Sequence, residues 1–250
     1  PEGGKLYLYN IDRNMGYGPY TNKSNKTSFG SPLIKGDWVV IEYYHPKYSS
    51  TLPILHINKI IHDFIDIFEF STSSNDRNCG YNVACEAAQE FRDQANSVIY
   101  MLINQYTCTG ALINNVHNDN TPYVLTAWHC IVGETNIDEH NNFIYYFNHE
   151  TSNCLGNSGS FEYSVTGSTL LATRNENVGS DFALLVMDSM PPQEWEPFYA
   201  GWSNDENAPI ISSGIHHPED DPRKINFEDD YASSCAWNSP NTHWCVTWDD

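Results

Sequence analysis

Apolar positions along the chain recur mostly with the two-residue period of β-strands. In the first 75 residues, KLYLYN (5–10) alternates apolar and polar side chains, and GDWVVIEYYHP (36–46) is a β-branched and aromatic run closed by Pro46. ILHINKIIHDF (54–64) reads either as a further strand or as a helix, because Ile57, Ile60, Ile61 and Phe64 also fit helical spacing. These segments, separated by Gly/Asn/Ser turns, are most simply part of an antiparallel β-sandwich. STSSNDRN (71–78) is polar and turn-rich and reads as a linker.

From Cys79 onward the texture changes. Short strands SVIYMLI, TGALINN, YVLTAWHC, FIYYF, TLLATR and DFALLVM follow one another with turn signals at close intervals. That spacing predicts an all-β barrel or sandwich, with one short helix confined to Cys85–Gln94. No internal repeat interrupts the pattern.

Composition narrows the setting. The 250 residues suffice for one large or two modest domains. Lys and Arg number 12 against 32 Asp and Glu, a formal net charge of −20, which repels nucleic acid and anionic membranes and attracts basic peptides. No apolar run is long enough to span a bilayer. The chain opens at Pro1 with neither an initiator Met nor a signal-peptide pattern, which reads as a trimmed start. Seven widely spaced cysteines, with no zinc-ribbon C-x-x-C pairs, point to disulfides and an oxidising, extracellular compartment. Cys235 and Cys245 flank the turn AWNSPNTHW and are placed to pair across a hairpin.

The chemistry-bearing stretch is VLTAWHC (124–130), a histidine at the end of an apolar strand beside a half-cystine. SDFALLVM places Asp181 at the start of another apolar strand, where its carboxylate would be half-buried. Read alone, His129 is a core histidine and Asp181 a strand-capping carboxylate. Taken with CTGALINN (108–115), TAWHC, SDFALL, Gly201-Trp202 and IHHP (215–218), the series resembles the trypsin-like serine proteases, specifically the bacterial lysyl endopeptidase branch.

The resemblance runs from Cys79 to Asp250. It implies a double antiparallel β-barrel with the active site between the barrels, His129 as catalytic base and Asp181 as its orienting carboxylate. It also implies disulfides Cys85–Cys154 and Cys108–Cys130, no cofactor and no metal, and protein or peptide substrates cleaved after lysine. The family serine follows the aspartate in a G-x-S-G-S-P loop. Ser158 in LGNSGS precedes Asp181 and reads as a polar surface loop.

On this reading the chain stops at Asp250 before the serine, so the second barrel is expected to be incomplete and these residues alone inactive. Cys79 is then expected to pair with a cysteine outside this chain. Residues 1–75, through PEGGKLYLYN and FGSPLIKGDWVVIEYYHP, resemble the pro-region segment of such secreted zymogens, with the protease domain at 76–250 and Arg77 a conceivable processing point. The rival expectation is a non-catalytic binding or assembly protein that kept the barrel and lost its nucleophile. His216-His217 could suggest a metal, but the resembled family carries IHHP without that role, and the acidic clusters 219–221 and 228–230 lack a spaced EF-hand pattern. The sequons at Asn22 and Asn25 carry little weight, and Trp128 is a large residue beside the histidine.

Overall fold

The computed structural model describes residues 1–23, 28–63, 67–68, 80–132 and 140–249. Near the N-terminus β1 (Lys5–Asn10), β2 (Gly16–Tyr20) and β3 (Val39–Tyr44) form one antiparallel sheet in the order β2-β1-β3. The sandwich expected for residues 1–75 is represented, among the described residues, by this single sheet. Residues 54–63 form neither the strand nor the helix their pattern allows. They run as irregular chain, with Ile54 and Ile60 largely exposed. The linker at 71–78, with Arg77, and the neighbouring Cys79 lie outside the described residues, as do Ser24 and the Asn25 sequon.

A short pairing segment, β4 (Tyr81–Asn82), precedes the helical turn expected after Cys85. That turn begins as a 3-10 helix over Glu86–Phe91 and continues as α1 (Arg92–Ser97). The barrel strands follow: β5 (Val98–Ile103), β6 (Tyr106–Ile113), β7 (Tyr123–Thr126), β8 (Ile144–Phe147), β9 (Tyr163–Thr166), β10 (Ser168–Arg174) and β11 (Phe182–Met187). Six of the runs picked out by their apolar pattern are strands here. β9, a mixed polar segment, has no such signature.

These strands pair antiparallel in the order β10-β11-β7-β6-β5-β8-β9. The two ends of that ladder are arms of one continuous segment, joined at Gly167, which adopts φ 86°. Its N–H donates to the Phe143 carbonyl at 2.8 Å and its carbonyl accepts from Asp188 N–H at 3.0 Å. The two ends of the sheet therefore meet at Gly167 and close it into a barrel.

Alternation along the strands sets what fills the interior. Ile99, Met101 and Ile103 of β5 point inward with Leu112, Val124, Tyr145, Phe147 and Leu185, all nearly inaccessible. The intervening Tyr100 and Tyr146 point outward into a second cluster with Ile144 and Phe161, covered by Leu33, Ile67 and Phe68. Leu33 N–H donates to the Tyr146 hydroxyl at 2.8 Å, so the N-terminal segment lies against the outer face of the barrel.

Beyond the barrel, β12 (Ser212–His216) and β13 (Lys224–Glu228) join β4 in a three-stranded sheet, β12-β13-β4. Val83, Ala88, Ala95 and Ile225 form its own small core. A final hairpin, β14 (Ser233–Cys235) with β15 (His243–Cys245), is closed by a Cys235–Cys245 disulfide. The architecture is all-β with one short helix.

Candidate active site

β7 and β11 are antiparallel neighbours, with Thr126 opposite Ala183. The residues just after β7 and just before β11 therefore emerge at the same end of the barrel. After β7 the chain turns through a single 3-10 turn, Trp128–Cys130. Before β11 it passes through Asp181, held in the left-handed region at φ 50°, a conformation that Asp tolerates better than most side chains.

The two elements meet at three hydrogen bonds. Trp128 N–H donates to the Asp181 carbonyl at 3.1 Å. His129 N–H donates to Asp181 Oδ1 at 3.0 Å, and His129 Nδ1 lies 2.6 Å from Asp181 Oδ2. An ionised carboxylate only accepts, so the proton of this contact sits on Nδ1 and leaves Nε2 as the basic nitrogen. The aspartate side chain is 8% exposed and the histidine 58%, which puts the carboxylate in the wall and the imidazole at the surface. Trp128 is half-buried and packs on the barrel core, bracing the turn from beneath.

The Cys108–Cys130 disulfide ties this turn to β6, with Cα atoms 6.2 Å apart. Cys85–Cys154 joins the start of the helical turn to the loop after β8. The three disulfides among the described residues are internal to the chain, and Cys79 is outside the described residues.

Ser158 is exposed in a loop that packs elsewhere. Its neighbour Gly159 lies against the His149 ring, and the Ser160 carbonyl meets His149 Nδ1 at 3.0 Å. Among the described residues, no serine hydroxyl is hydrogen-bonded to His129. Among the described residues, His216 and His217 do not converge with a third ligand. Glu228, Asp229 and Asp249 do lie together. Both oxygens of Glu228 already accept backbone N–H groups, from Asp230 and Thr247.

Polar residues that carry no sequence signal also shape the site. The Thr126 hydroxyl donates to the Thr109 carbonyl at 2.8 Å, and Thr109 Oγ1 accepts the His217 N–H at 2.9 Å. The strand leading to His129 is thereby connected to the segment after β12.

His129 and the buried Asp181 carboxylate are thus held together at one end of the β-barrel, with the imidazole exposed. The family comparison is consistent with that geometry. The chain belongs to the lysyl endopeptidase family: residues 73–250 match the model of the lysyl endopeptidase C-terminal domain. A similar curated protein is the lysyl endopeptidase of Pseudomonas aeruginosa, 25% identical over 223 residues. That match covers 79% of this chain and 45% of the relative, so the chain spans less than half the relative's length. Among solved structures, the Rv3671c protease in its inactive form aligns over 68% of this chain and 75% of its own, with 14% identity and a TM-score of 0.42.

Proposed function

We propose that the chain is part of a secreted serine endopeptidase that hydrolyses peptide bonds after lysine, and that His129 and Asp181 are two of its three catalytic groups. The observation that carries this reading is the double contact of Asp181 with the backbone and ring of His129. It fixes the tautomer with Nε2 unprotonated, as a general base requires.

In the reaction, Nε2 removes the proton from a serine hydroxyl as that oxygen attacks the scissile carbonyl. The imidazolium then protonates the leaving amine, and the cycle repeats with water to release the acyl group. Asp181 stabilises the imidazolium through the Nδ1–H contact. The serine and the donors that hold the oxyanion are supplied by residues outside these 250. The lysine preference rests on the family alone, and the charge of −20 favours the approach of basic substrates. Three disulfides support an oxidising, extracellular setting.

The test is labelling of the full-length secreted protein with a fluorophosphonate, alongside cleavage of a lysine-containing peptide. Labelling and cleavage are expected, and both should be lost in His129→Ala. A full-length protein that folds and yet takes up no label is the non-catalytic relative instead.

A further inference from the structure

Beside the Tyr100–Phe161 cluster on the outer face of the barrel lies a buried polar cluster that the proposed chemistry does not use. His149 follows β8, and His217 follows β12. Their ring centroids are 5.6 Å apart, and both pack on Tyr100, at 4.8 and 5.2 Å. His149 also lies 4.2 Å from the Phe161 ring. Both histidines are buried, and Arg223 beside them is wholly so.

The hydrogen bonds assign both tautomers. His149 Nδ1 meets the Ser160 carbonyl at 3.0 Å, and His217 Nδ1 meets the Asp221 carbonyl at 3.1 Å. Carbonyls only accept, so each Nδ1 carries the proton and each Nε2 is a bare lone pair. His217 Nε2 is buried and, among the described residues, has no partner.

The surrounding charges are already committed. Glu150 is shared between Arg92, at 2.7 Å, and Arg223. Asp221 faces Lys224 at 3.6 Å, and Asp220 accepts the Thr107 hydroxyl. His216 and Lys224 sit on the neighbouring strands, and Asp63 acts on the cluster through Tyr100. A proton arriving on either imidazole would place a cation beside Arg223 while the carboxylates of Glu150, Asp220 and Asp221 are already engaged, which closed packing does not tolerate.

We propose that His149, His217 and Arg223 form an acid-released latch that holds the β12–β13 segment against the first barrel at neutral pH and lets it go as the histidines protonate. The latch joins parts distant in sequence. Arg223 Nη1 reaches the carbonyls of Ala95 and Val98 at the head of the barrel, and Arg223 N–H donates to the His149 carbonyl at 3.0 Å. His217 N–H and Thr109 carry the connection to the strand that leads to His129.

Burial is the main cause that lowers the His149 pKa from 6.5 to about 4, with Arg223 adding to it against the opposing Ser160 contact. Burial lowers His217 well below 6.5, reinforced by His149 and Arg223. Released histidines bind protons more readily than latched ones. Closure is therefore complete above about pH 6.5 and weakens as the pH falls toward the latched value. A single histidine with these two values shifts the equilibrium toward the open form by about thirty-fold at pH 5.

The experiment is hydrogen exchange on the full-length protein at pH 7.5 and 5, corrected for the intrinsic pH dependence of exchange. Opening of amides in 212–228 is expected to rise by more than about ten-fold at pH 5 while β5 and β6 change less than about three-fold. The His149→Asn/His217→Asn variant keeps an N–H donor for each carbonyl but has no imidazole, and it should lose that rise. An unchanged rise in the variant, no rise in the parent, or equal opening of β5 and 212–228 overturns the latch. Should the variant not fold, the His149 ring titration followed by NMR in the parent decides. A value below about 5.5 supports the latch, and one at or above it does not.

Discussion

Asp181 holds His129 at two points, its Oδ1 on the backbone N–H at 3.0 Å and its Oδ2 on ring Nδ1 at 2.6 Å. One carboxylate thus sets both the position of the turn and the orientation of the ring. Asp181→Asn retains the shape but offers only one accepting oxygen for two donors. On the proposed function, kcat of the full-length protein should fall on the order of 10³–10⁴-fold with KM little changed. Steady-state kinetics on a lysine peptide are the check, and a loss confined to KM would count against the assigned role.

Ser158→Ala should leave the same kinetics within about two-fold of the parent. Its side chain is exposed and its loop is anchored on His149 rather than on His129. A large loss in this variant would return Ser158 to consideration as the nucleophile.

Glu150 stands between two guanidiniums. Burial alone would raise its pKa, but Arg223 and Arg92 together hold the carboxyl below its ordinary range. The stabilisation is present above the ordinary carboxylate pKa and disappears as the pH falls through the lowered value. Glu150→Gln leaves Arg223 buried without its counter-charge and should destabilise the fold by about 3–5 kcal/mol at pH 7. Urea unfolding would show it, with parent and variant converging in strong acid.

Replacing Cys108 and Cys130 together by serine frees the histidine turn from β6. The bridge spans 22 residues, so its loss should cost about 3 kcal/mol in unfolding free energy. Activity in the full-length protein should decline at temperatures where the barrel itself remains folded, as seen by comparing inactivation with circular dichroism.

Gly167→Ala probes barrel closure. The residue has φ 86°, and an added Cβ would lie 2.4 Å from Asp188 Oδ2. Destabilisation of about 1–3 kcal/mol is expected, visible as a lower Tm. Glycine is needed here because one strand must serve both ends of the ladder.

The strands were legible where the pattern was strong. β5, β8 and β11 are dense in aliphatic and aromatic residues because they bury side chains in the barrel, and β5 and β8 bury both faces. Tyr163–Thr166 was not legible, since its mixed residues become a strand only by pairing with β8. For 54–63 the sequence offered two periodicities, and the chain adopts neither.

The pairing of His129 with Asp181 follows from the family resemblance that TAWHC and SDFALL help to carry, whereas periodicity alone leaves each with an ordinary structural reading. Arg223, Glu150 and His149 gave no local sign. They are brought together from positions 73 or more apart for Glu150 and Arg223, and polar residues become a buried cluster only through tertiary packing.

Three successive residues of β6 are each tied to a different part of the molecule: Thr107 to Asp220, Cys108 to Cys130, and Thr109 to both Thr126 and His217. A slip of one residue in this strand would break all three ties at once and turn its inner face outward. Strand β6 is therefore the part of the molecule least free to drift. A chimera that exchanges it between relatives should fold only if the turn at 128–130 and the segment 216–223 are exchanged as a single cassette with it.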